Sequence, residues 1–394
     1  MKRQARRLHE LPLYPFAGWE RKVNAISKHN NDIIRLDIGN PDLPPPDEVI
    51  AKLSSSARQP FSHGYAGYRG ILPLRVQIAA YYRRRFDVHL DPNTQIAPLL
   101  GSKEGIINLS LATLDPGDIA IVPDPAYPAY AMGASLAGAS TYRVPLLPDN
   151  GFLPDLDSIP RDIAQKARIM WLNYPNNPTS AVASLSFFEK AMQFASHHDI
   201  LICHDAPYCD IFYEGDRPPS ILQVPGAEKL AVEFNSLSKT YNMAGWRVGM
   251  AVGNKHVTSS LLCVKSNVDS GLFLPIQEAA VVALQTPQTW VEARNDIYRQ
   301  RMHEAMRTLK SAGLVALQPK ASLYIWAQVP MGWSCENFAD FLLEEASVAV
   351  ASGSFFGRHG QGYIRISMTA PRERITQAMN RIGKAMSLHK KMPT

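Results

Sequence analysis

The strongest constraint on this chain is an alternation. Between Ile96 and Asp205, short apolar runs repeat with helical stretches between them. Ile96 to Leu100, Ile119 to Val122, residues 139–144, residues 168–172 and Ile200 to Asp205 read as strands. Helices are expected at Ile106 to Thr113, from Pro123 onward, near 155–166 and over 186–198. Leu230 to Phe234 adds another strand. Parallel neighbours need a crossover, and a helix supplies it, so this pattern builds an α/β layer with a mostly parallel sheet covered on both faces. Ligands of such sheets bind beyond the carboxyl ends of the strands. Ser102, Tyr127, Asn177, Asp205 and Lys239 each fall just after a strand-like run. They are expected to converge on one site.

Past Val252 the pattern changes. Helices are expected over 255–266 and from 273 to beyond 310, then a strand from Ser322 to Val329 and a helix from Glu336 to Ala346. Strands at Ser347–Ala351 and Gly362–Ser367 and a basic helix over 372–388 follow. The expected division is a large domain over 47–290 and a smaller α+β domain formed by 1–46 with 291–394. The N-terminal segment reads as an arm with a short helix, then a strand over Ile33–Ile38. At 394 residues and 46% hydrophobic, the chain is long enough for two cores.

The formal charge of +6 and pI near 9.0 sit largely at the ends: Lys2, Arg3, Arg6 and Arg7, then Lys384, Lys390 and Lys391. No aromatic-interleaved basic stripe accompanies them, so solvated tails are expected rather than a nucleic-acid surface. Cys203, Cys209, Cys263 and Cys335 show neither CxxC nor metal-ligand spacing. A reduced, cytoplasmic protein with no metal is the reading they support. Arg6-Arg7 precedes no apolar segment, and no run of 18 apolar residues exists, so neither an export signal nor a membrane span is expected.

The chemistry gathers in Ser236-Leu-Ser-Lys239-Thr-Tyr-Asn-Met-Ala-Gly-Trp-Arg247-Val-Gly249. A lysine at a strand end, its pKa lowered, condenses with an aldehyde. An arginine among small residues lets the backbone close on a phosphate. Gly101-Ser102-Lys103-Glu104-Gly105 opens a helix after a strand, a geometry that offers free N–H groups to a phosphate. An aldehyde and a phosphate together suggest pyridoxal phosphate. Asp124, Tyr68, Trp246 and His204 read as structural, His204 packing beside the sheet. Cys203 and Cys209 read as core thiols.

Asn177-Pro178-Thr179, Asp205-x-x-Tyr208, Ser236-x-Ser-Lys239 and Arg247, in that order, resemble the class I/II aminotransferases of pyridoxal-phosphate fold type I. Gly-Ser-Lys-Glu-Gly at 101–105, Tyr-Pro-Asn-Asn-Pro-Thr-Ser at 174–180, residues 236–247 and Asn267-Val-Asp-Ser-Gly271 are most similar to the LL-diaminopimelate aminotransferase branch. The resemblance implies that Lys239 holds the cofactor as an imine and moves the substrate's α-proton. It implies that Asp205 pairs with the ring nitrogen, Tyr208 and Asn177 with the ring oxygen, and Tyr127 stacks on the ring. The Ser102 and Lys103 nitrogens, Ser236 and Arg247 would hold the phosphate. Tyr65 would reach the phosphate from the neighbouring subunit of a homodimer. Arg365 would fork onto the substrate α-carboxylate, with the Gly39 backbone assisting.

The implied activity is amino-group transfer between an L-amino acid and a 2-oxo acid, with LL-diaminopimelate and 2-oxoglutarate, or aspartate, as candidates. A C–S β-lyase or an amino-acid oxidase on the same scaffold is the alternative. A cofactor-binding transcription regulator is disfavoured, because the 30 or so residues before the first strand lack a helix-turn-helix pattern. Two departures stand out. Ser180 replaces a frequent glycine, and the Tyr65-Ala-Gly-Tyr-Arg loop differs from the branch.

Overall fold

The alternation folds as expected. The computed structural model describes Leu11, residues 14–30 and residues 32–389. The terminal cations Lys2, Arg3, Arg6, Arg7, Lys390 and Lys391 lie outside those residues; Lys384 is exposed on the last helix, Arg372–His389.

Twelve strands occur among the described residues. They are β1 (Ile34–Arg35), β2 (Ile96–Leu99), β3 (Ile119–Asp124), β4 (Ser140–Pro145), β5 (Ala167–Asn173) and β6 (Leu201–Asp205). Then come β7 (Ala231–Ser236), β8 (Gly249–Gly253), β9 (Tyr324–Gln328), β10 (Val348–Ala349), β11 (Ala351–Ser352) and β12 (Tyr363–Ser367). The large sheet runs in the order β2-β8-β7-β6-β5-β3-β4. Only β8 is antiparallel to its neighbours, so the other strands point their carboxyl ends the same way. Successive side chains alternate between faces. Ile169, Trp171, Cys203 and Phe234 pack on one face, while Met170, Leu172 and Ile202 pack on the other. A sheet buried on both faces explains the continuous apolar runs that read as strands.

A second core unites Trp19 and Val23 with Ile325, Phe338, Leu342, Ile364, Ile366 and Ile382. Here β1 pairs with β10 in parallel, and β11-β12-β9 form an antiparallel sheet. The helix Gln288–Ser311 contributes Val291 to the core beside the large sheet and Met302, Ala305 and Leu309 to this one.

Several boundaries differ from expectation. The strand expected over Ile33–Ile38 is two residues long. The helix expected near 155–166 shrinks to Arg161–Lys166. The helix expected from 273 to beyond 310 is two helices, Leu274–Gln285 and Gln288–Ser311, with Thr286-Pro287 between them. Proline restricts the residue before it to extended backbone, which breaks the run. β3 extends to Asp124, and the helix after it begins at Ala129 rather than Pro123. The strand expected at Ser347–Ala351 divides between two sheets.

Candidate active site

The carboxyl ends of β2, β5, β6 and β7 open into one cavity of about 350 Å3. Ser102, Lys103, Tyr127, Asn177, Asp205, Tyr208, Ser236, Lys239, Arg247, Gly39 and Arg365 all line it. Of the site residues expected from the sequence, only Tyr65 is absent. It is 91% exposed in a loop away from this cavity.

Asp205 ends β6 and is 4% exposed. Its Oδ2 accepts a 2.7 Å hydrogen bond from Tyr130, while its Oδ1 is buried with no partner among the described residues. Burial pushes the carboxyl up to about 6, against the Tyr130 hydrogen bond and the nearby His204; Glu233 adds to the rise. Lys239 sits in the single turn Leu237–Thr240 that follows β7. Its Nζ donates to the Gly39 carbonyl. Burial, then the charges of Arg365 and Arg247, lower its amine to about 7. Both groups are held in environments their charged forms dislike.

Ser102 begins the helix Ser102–Thr113, so its first N–H groups lack helical acceptors. The Arg247 guanidinium crowds Gly101: a Cβ there would lie 2.1 Å from its Nη2, and the glycine φ of 81° also resists a side chain. Ser236 Oγ donates to the Val248 carbonyl at 3.2 Å and accepts from the Ser238 N–H at 3.1 Å. Free amides, a guanidinium and a hydroxyl thus surround one corner.

Arg365 projects from β12. It donates to Asn177 Oδ1 at 2.8 Å and to the Asp37 carbonyl at 2.6 Å, and its Nε is buried without a partner. Its guanidinium lies 4.2 Å from the Tyr324 ring centre and 4.8 Å from that of Phe356. A Cβ on Gly39 would collide with the Tyr324 hydroxyl at 2.0 Å, so this close approach requires glycine.

The sequence reading missed Tyr130, Asn173 and Tyr324, and the arm residues Tyr14 and Phe16. All line the cavity. Tyr130 stands one helical step after Tyr127, which was its only local signal. Asn173 Nδ2 donates to the Asp205 carbonyl at 2.7 Å, and its Oδ1 accepts from the Asn177 N–H at 2.8 Å. It ties two motifs together. Tyr324 shares a 2.7 Å hydrogen bond with Tyr208. His204 faces away from the cavity and contacts Phe188 and Glu233.

Ser180, the departure from a frequent glycine, has a φ of 62°. Its hydroxyl bonds to Ser322 Oγ at 2.6 Å and to the Tyr324 carbonyl at 2.7 Å. Those contacts offset a backbone conformation that glycine would adopt freely.

The residues fit pyridoxal phosphate. The orphaned Asp205 Oδ1 is a waiting acceptor for a ring N–H, and the corner at Gly101 suits a phosphate. A low-pKa amine lies in the same cavity.

Comparison with known proteins agrees. The family "Aminotransferase class I and II" matches residues 31–382. LL-diaminopimelate aminotransferase of Aquifex aeolicus is 47% identical over 376 residues, covering 95% of this chain and 97% of its own. That of Moorella thermoacetica is 45% identical over 383 residues, covering 97% and 98%. Substrate-bound BacF from Bacillus subtilis superimposes with a TM-score of 0.93 at 37% identity, covering 98% of each chain. Thermus thermophilus aspartate aminotransferase with maleate gives 0.91 at 29% identity, covering 98% of this chain and 100% of that one. These relatives favour amino-group transfer over elimination or oxidation. The chain belongs to the class I and II aminotransferases, and it is a pyridoxal-phosphate-dependent enzyme that moves an amino group between an L-amino acid and a 2-oxo acid.

Proposed function

We propose that this enzyme aminates and deaminates through Lys239, Asp205 and Arg365, with LL-diaminopimelate as amino donor and 2-oxoglutarate as acceptor. The observation that carries the roles is the meeting of three groups in one cavity: a low-pKa amine, a carboxylate with an unpartnered oxygen, and a guanidinium with an unpartnered N–H. The 44–47% identity to LL-diaminopimelate aminotransferases over nearly the full chain supports the substrate.

When bound, pyridoxal phosphate supplies an aldehyde that condenses with amines and a protonated ring that accepts the electron pair of a departing α-proton. The chain's own residues do the rest. Asp205 Oδ1 would hold the proton on the ring nitrogen, and Tyr130 fixes that carboxylate in place. Tyr208, braced by Tyr324, and Asn177 would hydrogen-bond the ring oxygen, while Tyr127 would cover the ring. The Ser102 and Lys103 N–H groups, Ser236 and Arg247 retain the phosphate. Arg365 takes the α-carboxylate, with Gly39 beside it, and so orients the α-C–H bond. Lys239 Nζ, neutral above about pH 7, would be the base that takes that proton.

The active unit we propose is a homodimer with shared sites. Tyr65 is exposed, as are Phe61, Tyr68 and Leu72 on the same stretch and Val268 and Phe273, whose segment meets it where Gly271 abuts the Gly67 carbonyl; exposed apolar side chains of this kind suit a second copy. The domain division is proposed as 47–290 against 1–46 with 291–394, following the two cores. A cytoplasmic location is proposed on four unpaired cysteines; no described helix is long and apolar enough to cross a membrane.

The test is a half-reaction screen. Each candidate amino acid is added to the holoenzyme, and loss of cofactor absorbance is followed together with amino transfer to 2-oxoglutarate. Fast, stoichiometric transfer from LL-diaminopimelate supports the reading. Faster transfer from another donor, or ammonia release in place of transfer, refutes it. For the dimer, Tyr65→Asp and Lys239→Ala proteins are refolded together, with subunit exchange verified. Recovery of about a quarter of wild-type activity supports sharing, since half the dimers then carry one intact site. No recovery refutes it.

A further inference from the structure

Two buried arginines outside the cavity hold the two ends of the substrate site from one helix. Arg294 and Arg301, on the helix Gln288–Ser311, are 3% and 4% exposed. They are seven residues apart, hence on one helix face and about 10 Å apart along the axis.

Among the described residues Arg294 makes no side-chain ion pair. Its Nη1 donates to the Lys239 carbonyl at 2.8 Å and to that of Thr240. Its Nη2 donates to the Asp210 carbonyl at 2.8 Å and to Asn295 Oδ1 at 2.8 Å. Asn295 Nδ2 reinforces the Asp210 contact at 2.9 Å. The Lys239 and Thr240 carbonyls end a one-turn helix and would otherwise lack a helical donor. Burying a guanidinium is costly, and here its bonds go to the backbone that carries Lys239 and to the Asp210 carbonyl, two residues past Tyr208.

Arg301 grips the other end. It forks onto Asp42 at 2.7 and 2.9 Å and donates to the Met368 carbonyl at 3.1 Å. Asp42 lies three residues after Gly39, and Met368 three after Arg365. Those two segments are already laced together: Ser367 N–H donates to the Leu36 carbonyl, Thr369 Oγ1 to that of Ile38, and Arg365 to that of Asp37. Between the arginines, Tyr298 packs in the cluster that holds Tyr208 and Tyr324.

We propose that Arg294 and Arg301 are positioning residues, and that their helix is a spacer fixing the gap between the Lys239 amine and the Arg365 guanidinium. An α-amino acid carries its amine and carboxylate on one carbon, so that gap has a narrow useful range. The inference rests on the reading of Lys239 as the cofactor lysine and Arg365 as the carboxylate clamp.

The variants are Arg294→Lys, Arg294→Gln, Arg301→Lys and Asp42→Asn, the last sparing the helix itself. In cofactor-free protein, competitive acetylation of Lys239 across pH, read by peptide mass spectrometry, reports its amine. In holoenzyme, affinities for 2-aminoisobutyrate and isopropylamine, which differ by one carboxylate, report the clamp. The Arg294 variants should raise the Lys239 midpoint by about half a pH unit or more, as the turn loosens and water reaches the amine. Arg301→Lys and Asp42→Asn should leave that midpoint alone, weaken 2-aminoisobutyrate about tenfold, and spare isopropylamine. If both readouts move together in proportion to lost thermal stability, or if neither moves, the helix is scaffolding only and the inference falls. Borohydride reduction of wild-type holoenzyme separates the two readings. Trapping on a lysine other than Lys239 removes the underlying assignment; trapping on Lys239 with unaltered variants removes only this one.

Discussion

His204 and Asp205 are neighbours on β6, yet their side chains leave the sheet on opposite faces. Both are buried, and both belong to polar clusters. The His204 cluster is complete. Its Nδ1 meets Glu233 Oε2 at 2.9 Å and its Nε2 meets the Tyr174 carbonyl at 3.1 Å. Glu233 also accepts from Tyr82 at 2.9 Å, Ser220 at 2.7 Å and the Ile221 N–H at 3.1 Å. The Asp205 cluster is incomplete: among the described residues Oδ1 has no partner, and neither does Arg365 Nε across the cavity. Buried polar groups are normally paired. The complete cluster holds strands together, and the incomplete one is where the proposed function seats the cofactor and substrate. Stability and function are thus separated by one residue.

The sharpest break of this comparison is Lys239→Ala. Turnover should fall on the order of 10⁴-fold or more, while the protein stays folded and still binds cofactor through its phosphate contacts. Wild-type turnover in this variant would remove Lys239 from the chemistry. Next comes the complete cluster. Glu233→Gln leaves His204, Ser220 and the Ile221 N–H poorly matched in a dry site, and should cost about 3 kcal/mol of unfolding free energy. Its rate per folded molecule should stay within a few-fold of wild type. A large rate loss without a stability loss would erase the division between the two faces. The mirror case is Asp205→Asn. The rate should fall by about 10², close to 3 kcal/mol of barrier, with a smaller loss of cofactor occupancy. A normal rate would mean that Asp205 does not face the ring nitrogen.

Much of this division was legible beforehand. Asp205, Lys239, Ser102, Tyr127 and Asn177 showed themselves by standing after apolar runs, because strand ends are where a parallel sheet exposes side chains to a ligand. Arg365 carried no such mark, since it lies inside a strand, and Gly39 follows the strand expected over Ile33–Ile38, outside the alternating sheet. They come from the second core, and only the family resemblance pointed to them. Tyr324 and Phe16 were invisible because a tyrosine in a strand and a phenylalanine in an arm look like ordinary packing residues. Their positions depend on contacts across hundreds of residues. The short β1, β10 and β11 were blurred for a related reason. Two-residue strands have no period of their own, and long-range pairing decides them. The Thr286-Pro287 break was available in the sequence, since proline marks such boundaries, but the helical pattern on both sides concealed it.

The central claim is that Asp205 and Lys239 are held ready, at a cost, in the protein without its cofactor. The unfolding free energy of cofactor-free protein between pH 4 and 10 tests it directly. Asp205 binds protons more tightly folded than unfolded, so its penalty grows as pH rises from 3.8 through about 6 and is full above that. Lys239 does the opposite: its penalty is full below about 7 and fades as pH climbs toward 10.5. At pH 7 both burdens are present. Asp205→Asn should therefore be more stable than wild type at pH 7 by about 1–3 kcal/mol, an advantage that shrinks toward pH 4. Lys239→Met should likewise gain a few kcal/mol at pH 7, an advantage that shrinks toward pH 10. Wild-type protein more stable than both variants at pH 7 would contradict the account.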